Sequence, residues 1–189
     1  MLRDLILKNR SHRRFHQGTA IPRATLEELV DLARLSPSGG NMQPLKYILS
    51  CDATKNERIF AHLAWAGYLK DWPGPAEGER PSAYIIVLGD KTISESFGCD
   101  HGIAAQSILL GATEMGLRGC ILGAIKRDEL RAALNIPATY DILLVIAFGR
   151  PKETVVLENL GPSGDIRYWR DADGVHHVPK RPLTDIIVG

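Results

Sequence analysis

From Gly102 to Thr113 the chain carries no charge, and Ile103, Ala104, Ala105, Ile108, Leu109, Leu110, Gly111 and Ala112 fill most of that stretch. A helix over about Asp100 to Met115 is therefore small and apolar nearly all round. Such a helix is stable only inside a core or an interface, so the rest of the chain has to be built around it. Gly116 is placed to be its C-cap, because glycine takes the left-handed conformation without steric cost.

The flanking sequence alternates helical and extended signals. Leu26, Leu29, Val30 and Ala33 fall at helical spacing, with Thr25 and Glu28 as a candidate capping box. Ser36-Pro37 ends that helix, since a residue before proline is pushed out of the α region. Thr54 and Glu57 repeat the capping-box pattern ahead of Ile59, Phe60 and Leu63, and a short helix is expected from Arg127 to Leu134. Strands are expected over Lys46–Cys51, Ala83–Leu88, Gly119–Leu122 and Ile142–Phe148. Tyr168-Trp169-Arg170 against Val175-His176-His177 reads as a hairpin turning at Asp171–Gly174. Residues 73–81, rich in Pro, Gly and Glu, read as an exposed loop. No internal repeat or low-complexity linker interrupts the pattern. The expected fold class is α+β, as one domain over residues 1–189.

Composition narrows the function classes. The net charge of +1 gives no global drive toward nucleic acid or membrane. Cys51, Cys99 and Cys120 are odd in number and widely spaced, which suggests neither a disulfide framework nor a zinc site. A reduced, cytoplasmic setting fits them best. The first residues, Met1 to Lys8, lack the apolar length of a signal peptide. No apolar run reaches the roughly 18 residues of a membrane span.

Three polar clusters carry chemistry. In Ser36-Pro37-Ser38-Gly39-Gly40-Asn41-Met42-Gln43-Pro44, two prolines bracket two glycines and short polar side chains. Glycine can bring bare backbone close to a ligand, and Ser38, Asn41 and Gln43 offer donors and acceptors for a heterocycle. Taken alone, the run is equally an ordinary helix-to-strand connection. Upstream, Arg10, Ser11, Arg13 and Arg14 precede the aromatic Phe15. The arginine fork matches phosphate geometry and serine adds a neutral donor. Downstream, Lys180 and Arg181 sit between Pro179 and Pro182. If the tail folds back, both basic clusters converge on one anion; otherwise they are solvated patches.

Together the clusters resemble the FMN-dependent nitroreductase family. The matching pieces run in order. They are Arg10-Ser11-His12-Arg13-Arg14-Phe15, Ile21-Pro22 leading into Leu26–Val30, the Pro37–Pro44 loop, Asp100–Gln106, Met115–Cys120, Leu134–Pro137 and Ala147–Pro151. The resemblance covers nearly the whole chain from about residue 5. It implies a central sheet flanked by helices and an intertwined homodimer with FMN at the interface. It also implies a ping-pong oxidoreductase, in which NAD(P)H passes a hydride to flavin N5 and a nitroaromatic, quinone or similar small acceptor then takes it.

Carried over by position, the resemblance assigns Arg10, Ser11 and Arg13 to the phosphate, ribityl chain and pyrimidine edge. Pro37, Ser38, Gly39 and Asn41, with Gln43 beside them, would meet the flavin ring from the partner subunit. The Leu122-Gly123 backbone would face N5–O4, and Lys180 or Arg181 would close on the phosphate. Arg14 is the expected surface ion-pair partner. The chain departs from the common pattern at Asn9, where many members carry an arginine, and at Leu45, where a Trp is frequent. Residues 65–81 stand in for a longer helical lid.

Missing motifs agree with a flavin doing the chemistry. Gly116–Gly123 is glycine-rich but precedes a strand and is not G-x-G-x-x-G, so a Rossmann site is disfavoured. There is no P-loop and no G-x-S-x-G elbow. His176 and His177 are adjacent, so a strand points them to opposite faces and away from joint metal ligation. His101 reads as a structural polar contact, and Glu77 and Glu79 as loop-solvating charges. Two other readings stay open. One is a relative that acts on or carries the flavin without NAD(P)H turnover, and the other is a nucleic-acid binder using the Arg10–Arg14 arm.

Overall fold

A computed structural model describes residues 1–189. The helices and strands follow the order α1 (Leu2–Lys8), α2 (Arg23–Arg34), β1 (Leu45–Ser50), α3 (Ala53–Phe60), β2 (Ala83–Asp90), α4 (Asp100–Glu114), β3 (Arg118–Leu122), α5 (Arg127–Leu134), β4 (Tyr140–Gly149), β5 (Val155–Asn159), β6 (Trp169–Arg170) and β7 (His176–Lys180). Strands β1-β2-β4-β3 form one antiparallel sheet, and β5-β7-β6 form a second, smaller one. The α+β expectation holds. No helix is long and apolar enough to cross a membrane.

The main sheet is covered on both faces because both faces of its inner strands are apolar. Every residue of β2 is buried. Ile85 and Val87 join Leu26 and Leu29 of α2 and Ala105, Ile108 and Ala112 of α4 in one core. Tyr84, Ile86 and Leu88 join Ile59 of α3 and Leu130 of α5 in the other. A bulge keeps β4 in step with this division. Val87 pairs with Leu144 but Leu88 pairs with Ile142, leaving Leu143 as the extra residue. Ile142 packs in the second core, whereas beyond the bulge Ile146 and Phe148 pack in the first. One unpaired residue thus flips the side-chain alternation of the strand.

Helix α4 is the central helix that its composition demands. Gly111 has no room for more: a Cβ there would lie 2.3 Å from Leu32 and 3.1 Å from Leu29 of α2. The helix ends as expected. Gly116 has φ +77, and its N–H and that of Leu117 donate to Thr113 and Ala112 at 3.1 and 2.8 Å, a Schellman closure. Gly102, Ile103 and Gln106 remain exposed on the face away from the sheet.

Two capping expectations fail. Pro22 precedes α2 without a side-chain cap, so Thr25 lies inside the helix. At α3 the Asp52 carboxylate accepts from the Lys55 N–H at 2.8 Å, which places Thr54 within the helix rather than before it. A nearby aspartate outcompetes a threonine because it offers a stronger acceptor in the same geometry. The hairpin near the C-terminus forms as expected, with Trp169 opposite His177 and Arg170 opposite His176. Its parallel neighbour β5 was not expected.

Candidate functional site

The N-terminal motif is held as an extended segment against the sheet edge. Ser11 bridges Gly119 of β3, the His12 N–H donates to Gly119 O at 3.1 Å, and the Phe15 N–H donates to Glu79 O at 2.9 Å. Phe15 is fully buried and lies so close to Gly149 that a Cβ there would be 2.6 Å from it. In an extended segment neighbouring side chains point opposite ways. Arg13 and Arg14 accordingly have different fates.

Arg14 forms a fork with Glu79, Nε to Oε2 and Nη2 to Oε1, both at 2.6 Å. Lys152 adds a third contact to Glu79 at 3.1 Å. The Arg14 guanidinium, followed by Lys152, holds the Glu79 carboxyl down to about 2, well below the usual carboxylate range. Glu79 is therefore a structural ion-pair partner and not a loop-solvating charge.

Arg13 turns the other way, into a cavity of about 240 Å³. Arg10, Ser11 and Lys180 line the same cavity, together with Tyr168 and His176. The tail does fold back onto the N-terminal motif. The Arg13 guanidinium carbon stands 4.9 Å from the centre of the Tyr168 ring. No Asp or Glu lines the cavity. Buried Nε atoms of both Arg10 and Arg13 lack any hydrogen-bond partner. Burial pushes the Arg10 pKa down from its ordinary value. A concave surface that gathers Arg10, Arg13 and Lys180 with no carboxylate to neutralise them is suited to an anion rich in acceptor oxygens. Arg181 lies just beyond, exposed, and does not line this cavity.

A second cavity of about 200 Å³ shares Arg13 and Ile121 with the first. Trp65, Leu122 and Gly123 line it, at the point where β3 ends. Trp65 and Ala66 are buried. The start of the 65–81 segment is thus packed against the body of the protein, and within the loop expected to be exposed Gly74, Pro75 and Pro81 are buried too, leaving Pro73 and Ala76–Gly78 at the surface.

The Pro37–Gln43 loop sits elsewhere on the chain, in cavities that share no residue with those two. Gly40, Asn41 and Gln43 have φ of 56, 55 and 51, so the loop uses the left-handed region three times, at Gly40 but not at Gly39. Asp100, at the start of α4, holds it: Ser38 Oγ donates to Oδ2 at 2.5 Å and the Gly39 N–H to Oδ1 at 2.9 Å. Ser38 Oγ also accepts from the Gln43 N–H at 2.9 Å. The Ser38 hydroxyl is thereby committed to the loop's own scaffold. Gln43 Nε2 reaches back to Asn41 O at 3.2 Å.

Sequence reasoning missed two carboxylates that shape these features, Asp100 and Glu153. Glu153 Oε1 accepts from the backbone N–H groups of Arg13 and Arg14, and Oε2 from Arg170 Nη2 at 2.9 Å. It ties the N-terminal motif to the small sheet. His176 and His177 do point apart. His176 is 1% exposed, whereas His177 bonds Glu158 at 2.8 Å and Asp171 at 3.0 Å. No group of three or more His, Cys, Asp or Glu is placed to hold a metal ion.

Comparison with known proteins follows the same lines. A candidate NADH dehydrogenase/NAD(P)H nitroreductase of Archaeoglobus fulgidus is 27% identical over 148 residues, covering 74% of this chain and 80% of that protein. A nitroreductase family protein from Clostridium difficile 630 superposes with a TM-score of 0.68 at 19% identity, over 100% of this chain and 96% of its own. An FMN-dependent nitroreductase from Clostridium difficile R20291 gives 0.64 at 20% identity, over 78% and 86%. At these identities the solved structures share the fold. The model of the Nitroreductase family matches residues 6–150, and the chain belongs to that family.

Proposed function

We propose that the chain is an FMN-dependent oxidoreductase that moves a hydride from NAD(P)H to a small acceptor such as a nitroaromatic or a quinone. The observation that carries this reading is the carboxylate-free cavity lined by Arg10, Ser11, Arg13 and Lys180, in which the Nε atoms of Arg10 and Arg13 are buried without acceptors. FMN fits that donor set through its single terminal phosphate and hydroxylated ribityl chain. The names of the relatives, NAD(P)H nitroreductase and FMN-dependent nitroreductase, support it. When bound, the flavin supplies the redox chemistry, reduced by nicotinamide and reoxidised by the acceptor in a ping-pong cycle.

The protein's own work is binding, orientation and electrostatics. Arg10, Ser11 and Lys180 hold the phosphate end. Arg13 borders both cavities, so its charge serves the ribityl and pyrimidine edge as well, where negative charge grows on reduction. The Leu122-Gly123 backbone faces the ring. Pro37, Ser38, Gly39, Asn41 and Gln43 come from the other subunit of a homodimer, with Ser38 holding the loop shape. Arg181 stands outside the cavity, and Lys180 is the tail cation that closes the site. The free thiols of Cys51, Cys99 and Cys120 suit a reducing, cytoplasmic setting.

Steady-state oxidation of NADH and NADPH with a quinone and with a nitroaromatic tests the catalytic half. Parallel lines in double-reciprocal plots at several acceptor concentrations are expected. Tight flavin binding without nicotinamide oxidation would instead favour a protein that carries the flavin.

A further inference from the structure

Arg13 borders both cavities, yet little holds its guanidinium in place. Its side-chain hydrogen bonds within the protein both leave from Nη1 and both are long, 3.3 Å to Ser11 O and 3.3 Å to His176 Nε2. Nε is buried without a partner, which leaves Nη2 as the nitrogen free to meet a ligand. No Asp or Glu lines either cavity to tether the group. What lies against it is a ring. Tyr168 is half-buried and lines the first cavity. Its centroid is 4.9 Å from the Arg13 guanidinium carbon, within the range in which a cation is attracted to an aromatic face. The ring is itself fixed from several sides. It packs on Tyr68 at 4.9 Å and on His176 at 5.1 Å between centroids, and its hydroxyl accepts from the Tyr68 N–H at 3.4 Å. One carboxylate ties the two backbones together. Glu153 Oε1 accepts from the Arg13 N–H, and Oε2 from Nη2 of Arg170, two residues after Tyr168. Tyr168 lies beyond residues 6–150, the span matched by the family model, so this contact joins that span to a part of the chain outside it.

We propose that Tyr168 is a positioning residue, whose ring face holds the Arg13 guanidinium at the flavin site so that Arg13 is ordered before FMN arrives. The inference rests on the FMN reading above. A flexible side chain ordered in advance loses no further freedom on binding. Freed from the ring, Arg13 has to be ordered by the ligand, which weakens FMN about three- to tenfold. The rival is a ring that touches the ligand directly or only fills space.

A mutant cycle separates these roles. Apo-proteins are titrated with FMN by quenching of flavin fluorescence, with thermal melting as a folding control. Tyr168→Leu removes the aromatic face and is expected to weaken FMN about three- to tenfold. Tyr168→Phe keeps the face and is expected to stay within about twofold of the wild type. In an Arg13→Ala background, Tyr168→Leu is expected to cost less than about twofold more, because residues that act through one another are not additive. Equal losses with and without Arg13 overturn the proposal in favour of direct contact. No loss from Tyr168→Leu, or as large a loss from Tyr168→Phe, overturns it outright. NMR of the Arg13 Nε–H signal in the FMN-free protein, assigned by its disappearance in Arg13→Ala, does not depend on any Tyr168 variant folding. A signal moved upfield by the ring is expected, and one at the position of solvent-exposed arginines overturns the proposal while leaving the FMN reading intact. Wild-type protein that binds no FMN in the titration overturns the FMN reading and the proposal together, whichever signal Arg13 shows.

Discussion

At the scale of single residues, the account stands on adjacent side chains that do different work. Arg13→Ala is expected to weaken FMN roughly ten- to a hundredfold, the usual effect of losing a charge-assisted contact. Arg14→Ala removes the fork to Glu79 and is expected to leave FMN affinity nearly unchanged while lowering stability by about 1–2 kcal/mol. Flavin titration and urea unfolding of both variants measure the contrast, and a costlier Arg14 in the titration contradicts it. Acid should destabilise the protein through His176. The unfolded ring titrates near its ordinary 6.5 and the folded ring near 4, so between those values the unfolded chain takes up a proton that the folded chain refuses. Stability is fullest above about pH 6.5 and falls as the pH drops toward 4. Burial of the ring and then the charged and titratable groups around it, Arg13, Arg170, His12 and His177, resist that proton; Lys180 lines the same cavity. Urea midpoints at pH 7 and pH 5 check the sign, and His176→Asn should flatten the difference. The opposed directions of Arg13 and Arg14 were legible because they follow from an extended segment. Glu153 and Asp100 were not, since their contacts span 140 and 61 residues of sequence and no local pattern encodes them.

At the scale of elements, the long apolar helix was the most legible feature, and glycine substitutions test how it is packed. Gly111→Ala forces a Cβ to 2.3 Å from Leu32 and 3.1 Å from the fully buried Leu29, and is expected to cost about 1–3 kcal/mol as overpacking. Gly102 lies on the same helix with nothing within 4 Å of its would-be Cβ. Gly102→Ala should stabilise by about 0.5–1 kcal/mol through helix propensity. Thermal unfolding of the two variants distinguishes a helix packed tightly on α2 from one merely apolar by composition; equal effects would contradict this account. Strand and helix existence followed from periodicity, but their ends did not. Capping by Asp52 in place of Thr54, and the bulge at Leu143, depend on which of several similar local solutions the tertiary packing accepts. Strand β5 escaped notice because it is half-buried and pairs with a strand further along the chain.

At the scale of the whole molecule, the two groups of candidate site residues lie apart on one chain, as the two halves of the proposed site. The basic cavity and the Pro37–Gln43 loop share no lining residue, while Leu2, Ile6, Leu35, Met42 and Ile103 are exposed apolar side chains. We propose that a dimer joins the two and covers this apolar surface at the same time. Light scattering of the flavin-loaded protein is expected to give twice the protomer mass down to low micromolar concentration, and an active monomer would contradict it. The order of motifs brought both groups of residues forward from the sequence as candidates. Their separation within one chain is a property of folded geometry, and Lys180, not Arg181, reaching the cavity depends on where β7 ends. The central claim is that the donor-lined cavity exists to hold the phosphate of FMN. Denaturing the purified protein and chromatographing what is released tests it most directly. The account predicts about one FMN per protomer; recovery of mainly FAD, or of no flavin even after incubation with excess FMN, would contradict it.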